Sequence, residues 1–157
     1  MSGDVATGSA PVVEVTQHFR FAAAHRMHNP RLSAEENRRL YGRCNHMHGH
    51  GHTYRFAVTI RGPISTETGR LEDRDGLSEV VRARVLDRFD QANLDSLITP
   101  EDGVTSTTEV LSAVLWRILE EALSAGRLVR LRVEETPNNF CELDSGGRRE
   151  ERPRSGK

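Results

Sequence analysis

The chain has 157 residues, of which 29% are charged, and its formal net charge is −1. This length is enough for one domain with a buried core, and the near-zero charge gives no strong field for nucleic acid or an acidic membrane surface. No apolar run reaches membrane-spanning length and the N-terminus has no hydrophobic targeting region, so we expect a soluble cytoplasmic protein with neither kind of partner.

The two ends of the chain contrast with its middle. Residues 1–11 are small and polar, and residues 145–157 contain no apolar side chain. Such segments bury too little surface to offset their conformational entropy, so we expect both to be disordered. Residues 12–144 are then a single domain.

Two early segments alternate apolar and polar residues with the period of a half-buried strand. Residues 13–21 form the first, and the apolar parity continues through Ala23 to His25. Residues 52–60 form the second, which ends at Gly62-Pro63, and its parity extends back to His50. We therefore expect His25, His50 and His52 to point toward the same interior.

The middle of the chain predicts a long loop and two helices. Residues 29–40 read as a loop with about one helical turn that starts at Ser33, with Glu36 three positions later. Apolar spacing from residue 71 to residue 89 predicts one helix with a buried face. A second helix follows the capping-box pair Ser106 and Glu109 and stops at Gly126.

Residues 128–135 and 140–143 have the pattern of two final strands. The order is therefore two strands, two helices and two strands. Short connections favour antiparallel pairing, with the helices on one face of the sheet. We predict an α+β fold with a four-stranded antiparallel sheet and two helices packed on one face. The open edges of so small a sheet favour pairing between subunits.

The richest stretch for chemistry is CNHMHGHGH, residues 44–52. Three imidazoles with an open fourth position are typical of catalytic zinc, whereas structural zinc prefers four protein ligands. His25, His50 and His52 fit that description, so we predict that they bind Zn²⁺. The spacing from Cys44 to His48 and His50 is a second possible set of ligands, and isolated histidines often only satisfy local hydrogen bonds.

Two further residues of the predicted site are ionisable. Cys44 precedes His50 by six positions, and a nearby divalent cation would favour its thiolate as a base or nucleophile; otherwise it is a small buried residue. Glu135 continues the inward face of a strand, where a carboxylate needs a donor such as the guanidine-like edge of a pterin or guanine. Alternatively, Glu135 turns to solvent at the strand end. For Cys141 we expect simple burial.

These residues together resemble the 6-pyruvoyl-tetrahydropterin synthase family. The similarity lies in residues 22–54, with SAEEN and CNHMHGHGHTY, and in the later segments FDQANLD, STTEVLSAVLW and VEETPNN, in the family's order. The resemblance implies the T-fold, in which three subunits close a barrel and two trimers stack. It implies zinc ligands at His25, His50 and His52, and active sites at subunit interfaces.

The resemblance also implies the reaction. The substrate would be 7,8-dihydroneopterin triphosphate, with its side-chain hydroxyls on zinc and its ring on Glu135, beside Thr107 and Thr108. Cys44 would act as general base while triphosphate is eliminated to give 6-pyruvoyl-tetrahydropterin. A sister activity, 6-carboxytetrahydropterin synthase, releases acetaldehyde as well and feeds queuosine-type synthesis. Its CxxxHGH spacing is also present here, although SAEEN and GHGHTY favour the pyruvoyl type.

One position departs from the family pattern. The family has an Asp-His pair where this chain has Asp90-Gln91. Asp90 matches the catalytic aspartate, but the glutamine amide carries no titratable proton at neutral pH. Turnover then depends on Cys44 and zinc alone, or one of His28, His46 and His48 takes the place of the missing catalytic histidine. In a third possibility, the protein catalyses a different pterin reaction. A zinc-containing pterin-binding protein with impaired turnover is the hypothesis from a different functional class.

Overall fold

The structure, a computed structural model, describes residues 10–71, 74–98, 102–124 and 127–146. The strands are β1 (Val12–His25), β2 (His50–Pro63), β3 (Ala92–Asn93), β4 (Leu128–Thr136) and β5 (Asn139–Asp144). The helices are α1 (Ala34–Tyr41), α2 (Arg74–Val81), α3 (Asp87–Phe89) and α4 (Thr108–Ala122), and a π-helical segment, Arg82–Leu86, joins α2 to α3. Almost all of the two predicted disordered ends lie outside the described residues.

The strands form one sheet in the order β3-β1-β2-β4-β5. All neighbours are antiparallel except β1 and β3, which are parallel. The four long strands confirm the predicted antiparallel sheet. The fifth strand was not predicted, because a two-residue strand is too short to show a period.

Alternation along the strands separates a buried face from an exposed one. Phe21 on β1 and Tyr54, Phe56 and Val58 on β2 are at most 2% exposed. The residues that alternate with them along each strand lie largely on the other, polar face of the sheet. The buried side chains join one core with the apolar faces of α2 and α4. The prediction of helices on one face of the sheet is therefore confirmed. No helix in the described ranges is long and apolar enough to cross a membrane.

The structure corrects two helix boundaries. The Ser33–Glu36 capping box is present, but α1 has eight residues rather than a single turn. For α4 the predicted cap at Ser106 is wrong, since Thr107 caps the helix by accepting the backbone N–H of Val110. The Ser106 hydroxyl is engaged elsewhere, as described below. The predicted stop at Gly126 lies outside the described residues, and α4 ends at Ala122.

The loop between β1 and α1 is organised by one buried amide. Asn37 is fully buried, and its side-chain nitrogen donates to the carbonyls of Asn29, Leu32 and Ser33. Its side-chain oxygen accepts the N–H of Asn29 at 2.7 Å. A buried amide whose hydrogen bonds all go to backbone groups fixes those groups in one geometry. The loop that carries Pro30 and Arg31 is therefore held by α1.

Candidate active site

The register of β1 against β2 brings three histidines together. His25 is the cross-strand partner of His50, and His52 lies opposite Ala23 on the same face. Opposite and diagonal residues on one face of an antiparallel pair are close enough for ring side chains to meet. One ring nitrogen from each histidine lies within 4.8 Å of the others, and the Nε2 atoms of His25 and His50 are 3.2 Å apart.

Gly49 allows β2 to begin this close to β1. Its φ is +66°, and a Cβ atom there would lie 2.7 Å from the carbonyl oxygen of His25. Any other residue would have to push the end of β1 away, in addition to the cost of a left-handed backbone. The glycine before His50 therefore preserves the pairing of the two histidines.

The histidine cluster has the properties of a cation site. The Nε2 atom of His52 is buried and has no hydrogen-bond partner within the described structure, which is costly unless a ligand satisfies it. Burial lowers the pKa of both His50 and His52, which favours the neutral imidazole that binds metals. Three imidazoles suit zinc and other first-row transition metals.

A chain of hydrogen bonds orients His25 from behind. Its Nδ1 donates to the carbonyl oxygen of Ser106 at 2.8 Å, which leaves Nε2 free to face the cluster. The Ser106 hydroxyl donates to Asp95 Oδ1 at 2.6 Å, and Asp95 Oδ2 accepts the N–H of Arg26 at 2.8 Å. His25 and Ser106 are at most 2% exposed. Such outer hydrogen bonds set the tautomer and ring angle of a metal ligand.

Sequence reasoning did not identify Ser106 and Asp95 as part of the site. The local pattern favours a helix cap for Ser106, and Asp95 is only the last residue of the FDQANLD segment. The hydrogen bond between His25 and Ser106 joins residues 81 positions apart. No local pattern indicates such a contact; the family motifs that contain the two residues were the one available signal.

Glu135 lies inside rather than in solvent, so the solvent alternative is wrong. It is 9% exposed, and its Oε1 lies 3.4 Å from the Nε2 atoms of both His25 and His52. Its Oε2 accepts a hydrogen bond from Asn139 at 2.7 Å, and the same amide donates to Thr108 Oγ1 at 3.4 Å. The carboxylate thus adds negative charge beside the histidines and is linked to the start of α4.

Cys44 lies near Glu135, in the short turn Gly42–Asn45. Burial and the charge of Glu135 raise the pKa of its thiol; a cation held by the histidines would oppose that shift. Both Cys44 and Cys141 are free and half-buried, and Cys141 pairs with Val133 in the sheet.

Asp90 and Gln91 bind the backbone of β1. Asp90 Oδ1 accepts the N–H of Ala22 at 2.8 Å, and the Gln91 N–H donates to the Ala22 carbonyl at 2.6 Å. Gln91 has a left-handed φ of 59°. The described contacts of Asp90 are with this strand rather than with Cys44. Gln91 and His52 nevertheless line the same cavity of about 370 Å³, although neither His25 nor His50 does.

The remaining four histidines, His18, His28, His46 and His48, lie outside the cluster. The side chains of His46 and His48 are exposed, with ring centroids 5.5 Å apart. His28 Nδ1 accepts from the Asn45 amide at 3.0 Å. Among the described residues, the structure groups His25 with His50 and His52. The alternative set of ligands, which contains Cys44, His48 and His50, is not brought together in this way.

Comparison with known proteins agrees with this geometry. The family model "6-pyruvoyl tetrahydropterin synthase" matches residues 14–146. The chain belongs to this family. It is 37% identical to a Drosophila melanogaster 6-pyruvoyl tetrahydrobiopterin synthase over 131 residues, covering 83% of this chain and 78% of the relative. For the human protein of the same name the identity is 36% over 127 residues, covering 81% and 88%.

A solved structure supports the same assignment. The Caenorhabditis elegans 6-pyruvoyl tetrahydropterin synthase aligns with a TM-score of 0.79 and 32% identity, covering 88% of this chain and 99% of that one. The T-fold expectation is therefore confirmed, and the protein is an enzyme of the 6-pyruvoyl tetrahydropterin synthase type, a metal-dependent family.

The hydrogen bonds behind His25 lead to a prediction about metal affinity. Ser106→Ala keeps the carbonyl that accepts from His25 but removes the hydroxyl that ties this residue to Asp95, so the His25 ring is held less firmly. We expect zinc to bind about 10- to 100-fold more weakly, the usual effect of losing an outer hydrogen bond at a metal site. Competition with a chromophoric chelator measures this directly.

Ser78→Ala is the matched control, because Ser78 is exposed and its hydroxyl contacts Gln17, away from the histidines. Equal zinc affinity in the Ser106→Ala protein and this control would contradict the orienting role of Ser106.

Proposed function

We propose that this protein is a zinc-dependent lyase that converts 7,8-dihydroneopterin triphosphate into 6-pyruvoyl-tetrahydropterin and triphosphate. The cluster of His25, His50 and His52, with Glu135 and Cys44 beside it, is the observation that carries the proposal. The names of the relatives support the product. The sister 6-carboxytetrahydropterin reaction is less well supported, because the His48 required by its spacing is exposed.

The three histidines would hold the zinc, because a catalytic zinc site needs three protein ligands and leaves the fourth position open. When bound, zinc supplies Lewis acidity at the side-chain hydroxyls of the substrate. Ser106 and Asp95 keep His25 in position, and the negative charge of Glu135 favours a cation in the cluster.

Glu135 would bind the pterin ring. Asn139 occupies Oε2, whereas Oε1 is buried and has no hydrogen-bond partner within the described structure. Oε1 is able to accept one N–H of the guanidine-like edge, and the second lone pair of Oε2 is able to accept the other. Thr107 and Thr108, at the start of α4, would lie beside the ring, since Asn139 links Thr108 to Glu135.

Cys44 would move the proton. As a thiolate it removes a proton from the side-chain carbon while the triphosphate leaves with the electron pair of the broken C–O bond. Asp90, in our proposal, supports this step by holding the segment that contains residue 91 against β1. The Nδ1 atom of His28 already accepts a hydrogen bond from Asn45, so His28 is a weaker candidate for a substitute base. His46 and His48 are exposed, and we assign them no role in the reaction.

Gln91 is the observation that favours a second candidate, a zinc-containing pterin-binding protein with impaired turnover. The glutamine lines the cavity that contains His52, at the position where the family has a catalytic histidine, yet it offers no titratable proton. In this alternative, reduced pterin binds tightly through Glu135 and no product forms.

We also propose assembly through the sheet edges. Within the part of the chain that the structure describes, β3 pairs with only Ala23 and Ala24 of β1, and β5 has a neighbour on one side only. Unpaired backbone groups along these two edges are able to pair between subunits. A trimer, or a dimer of trimers, follows from the family resemblance, and the soluble enzyme would act in the cytoplasm.

The lyase proposal predicts zinc- and thiol-dependent triphosphate release. We expect the zinc-loaded protein to release triphosphate from 7,8-dihydroneopterin triphosphate. A chelator should stop the reaction, and Cys44→Ala should slow it by about 100-fold or more, because it removes the general base. Mass spectrometry identifies the product. Cys141→Ala is the matched control, and the absence of any release from a zinc-loaded sample would contradict the proposal.

Residue 91 yields a separate prediction. We expect Gln91→His to raise kcat by about 10-fold or more, because it restores a group able to transfer a proton within the cavity that holds His52. The gain should follow the titration of the new imidazole in a pH–rate profile. Gln91→Asn keeps an amide that tolerates the left-handed backbone, so it controls for relief of strain. An unchanged rate for Gln91→His would mean that the missing histidine does not limit turnover.

A further inference from the structure

A different cavity, also of about 370 Å³, lies beside His25 on the Ser106 side. Its volume is within the roughly 300–1,000 Å³ typical of small-molecule sites. Its polar lining consists of Arg26, His28, Arg31, Asp95, Thr105 and Ser106. None of the residues that would hold zinc or the pterin ring lines it.

The cavity adjoins both parts of the catalytic machinery. Ser106 lines it and accepts the hydrogen bond from His25. Arg26 also lines it and donates from Nε to the carbonyl of Asn45 at 3.2 Å, the residue that follows Cys44. A group in this cavity is therefore next to a metal-site histidine and to the turn that carries the thiol.

The charges of the lining favour an anion. Arg26 and Arg31 carry two guanidinium groups, and His28 adds an imidazole. Asp95 is the single acid among the lining residues, and both its oxygens are already used, by the Ser106 hydroxyl and by the Arg26 N–H. Two guanidinium charges against one carboxylate leave the lining with a net positive formal charge, and guanidinium groups match phosphate oxygens in geometry.

Two neutral groups add directed donors. Thr105 Oγ1 accepts the N–H of His28 at 3.2 Å, so the hydroxyl proton is free to donate elsewhere. The Asn45 amide donates to His28 Nδ1 at 3.0 Å, so a neutral His28 carries its proton on Nε2. The cavity thus offers two guanidinium groups, an imidazole N–H and a hydroxyl, a set suited to a ligand with many acceptor oxygens.

The frame of the cavity is held in place before any ligand binds. Asn37 fixes the backbone on both sides of Arg31 through its bonds to Asn29, Leu32 and Ser33. Asn45 fixes the backbone next to His28 by donating to the carbonyl of Met27 at 2.7 Å. Little free energy is therefore needed to order the loop backbone when a ligand binds.

We propose that this cavity binds the triphosphate of the substrate and stabilises it as the leaving group. The inference rests on the proposed lyase function. In the elimination, the C–O bond to the triphosphate breaks and its electron pair stays on the departing oxygen, while the proton of the adjacent carbon goes to Cys44. Arg26 and Arg31 are placed to stabilise the charge that develops on the triphosphate.

Arg31→Gln tests the cavity without altering the histidines or the thiol. Isothermal titration of inorganic triphosphate into the zinc-loaded protein should show about 10-fold weaker binding for this variant, as expected for the loss of a charge-assisted contact. Arg39→Gln is the control, since it removes the same charge from an exposed position of α1 outside the cavity. Equal loss in the two variants would overturn the proposal.

A second arm separates the substrate from other phosphates. In a Cys44→Ala background, Arg31→Gln should weaken 7,8-dihydroneopterin triphosphate binding about 10-fold and leave the binding of unphosphorylated 7,8-dihydroneopterin unchanged. If only inorganic triphosphate binding falls, the cavity is an unrelated anion site and the proposal is wrong.

The two proposals fail in different ways. If the wild-type protein releases triphosphate but Arg31→Gln leaves both affinities unchanged, the cavity assignment is wrong and the lyase function stands. If the wild-type protein has no activity but Arg31→Gln weakens the binding of both triphosphates, the lyase function and the leaving-group role are wrong, and the cavity stands as a triphosphate-binding site only.

Discussion

The candidate site depends on the pairing of β1 with β2. In this register His25 lies opposite His50, and His52 follows two positions later on the same face. A shift of one residue in either strand would turn its imidazoles to the opposite face of the sheet. The apolar residues Phe21, Tyr54 and Phe56 hold the register, because the same shift would expose them to water. The core of the protein thus fixes the geometry of the site.

Much of this arrangement could be predicted from the sequence because it follows from the two-residue period. The parity that buries Phe21 and Phe56 also turns His25 and His50 inward, and no knowledge of the register is needed to see it. By the same two-residue period, Glu135 is expected to lie on the buried face that contains Val133. Burial and side-chain direction are local properties, so a local pattern predicts them.

The parts that could not be predicted depend on long-range contacts. The Ser106 hydroxyl donates to Asp95 instead of capping α4, and its carbonyl accepts from a histidine 81 positions away. The cavity beside His25 brings Arg26 and Arg31, from the loop between β1 and α1, together with Thr105, from the loop before α4. Ser106 looked like a helix cap because capping is the frequent role of serine before a helix, and its neighbour Thr107 was equally suited. Tertiary structure decided between them.

The most direct test of the account is the metal's coordination in solution, because the two histidine spacings around Cys44 give different ligands. X-ray absorption spectroscopy of the zinc-loaded protein should show imidazole nitrogen at about 2.0–2.1 Å and no sulfur, as expected for His25, His50 and His52. A zinc–sulfur distance of about 2.3 Å would place Cys44 on the metal. That result would contradict both the ligand assignment and the role of Cys44 as the base.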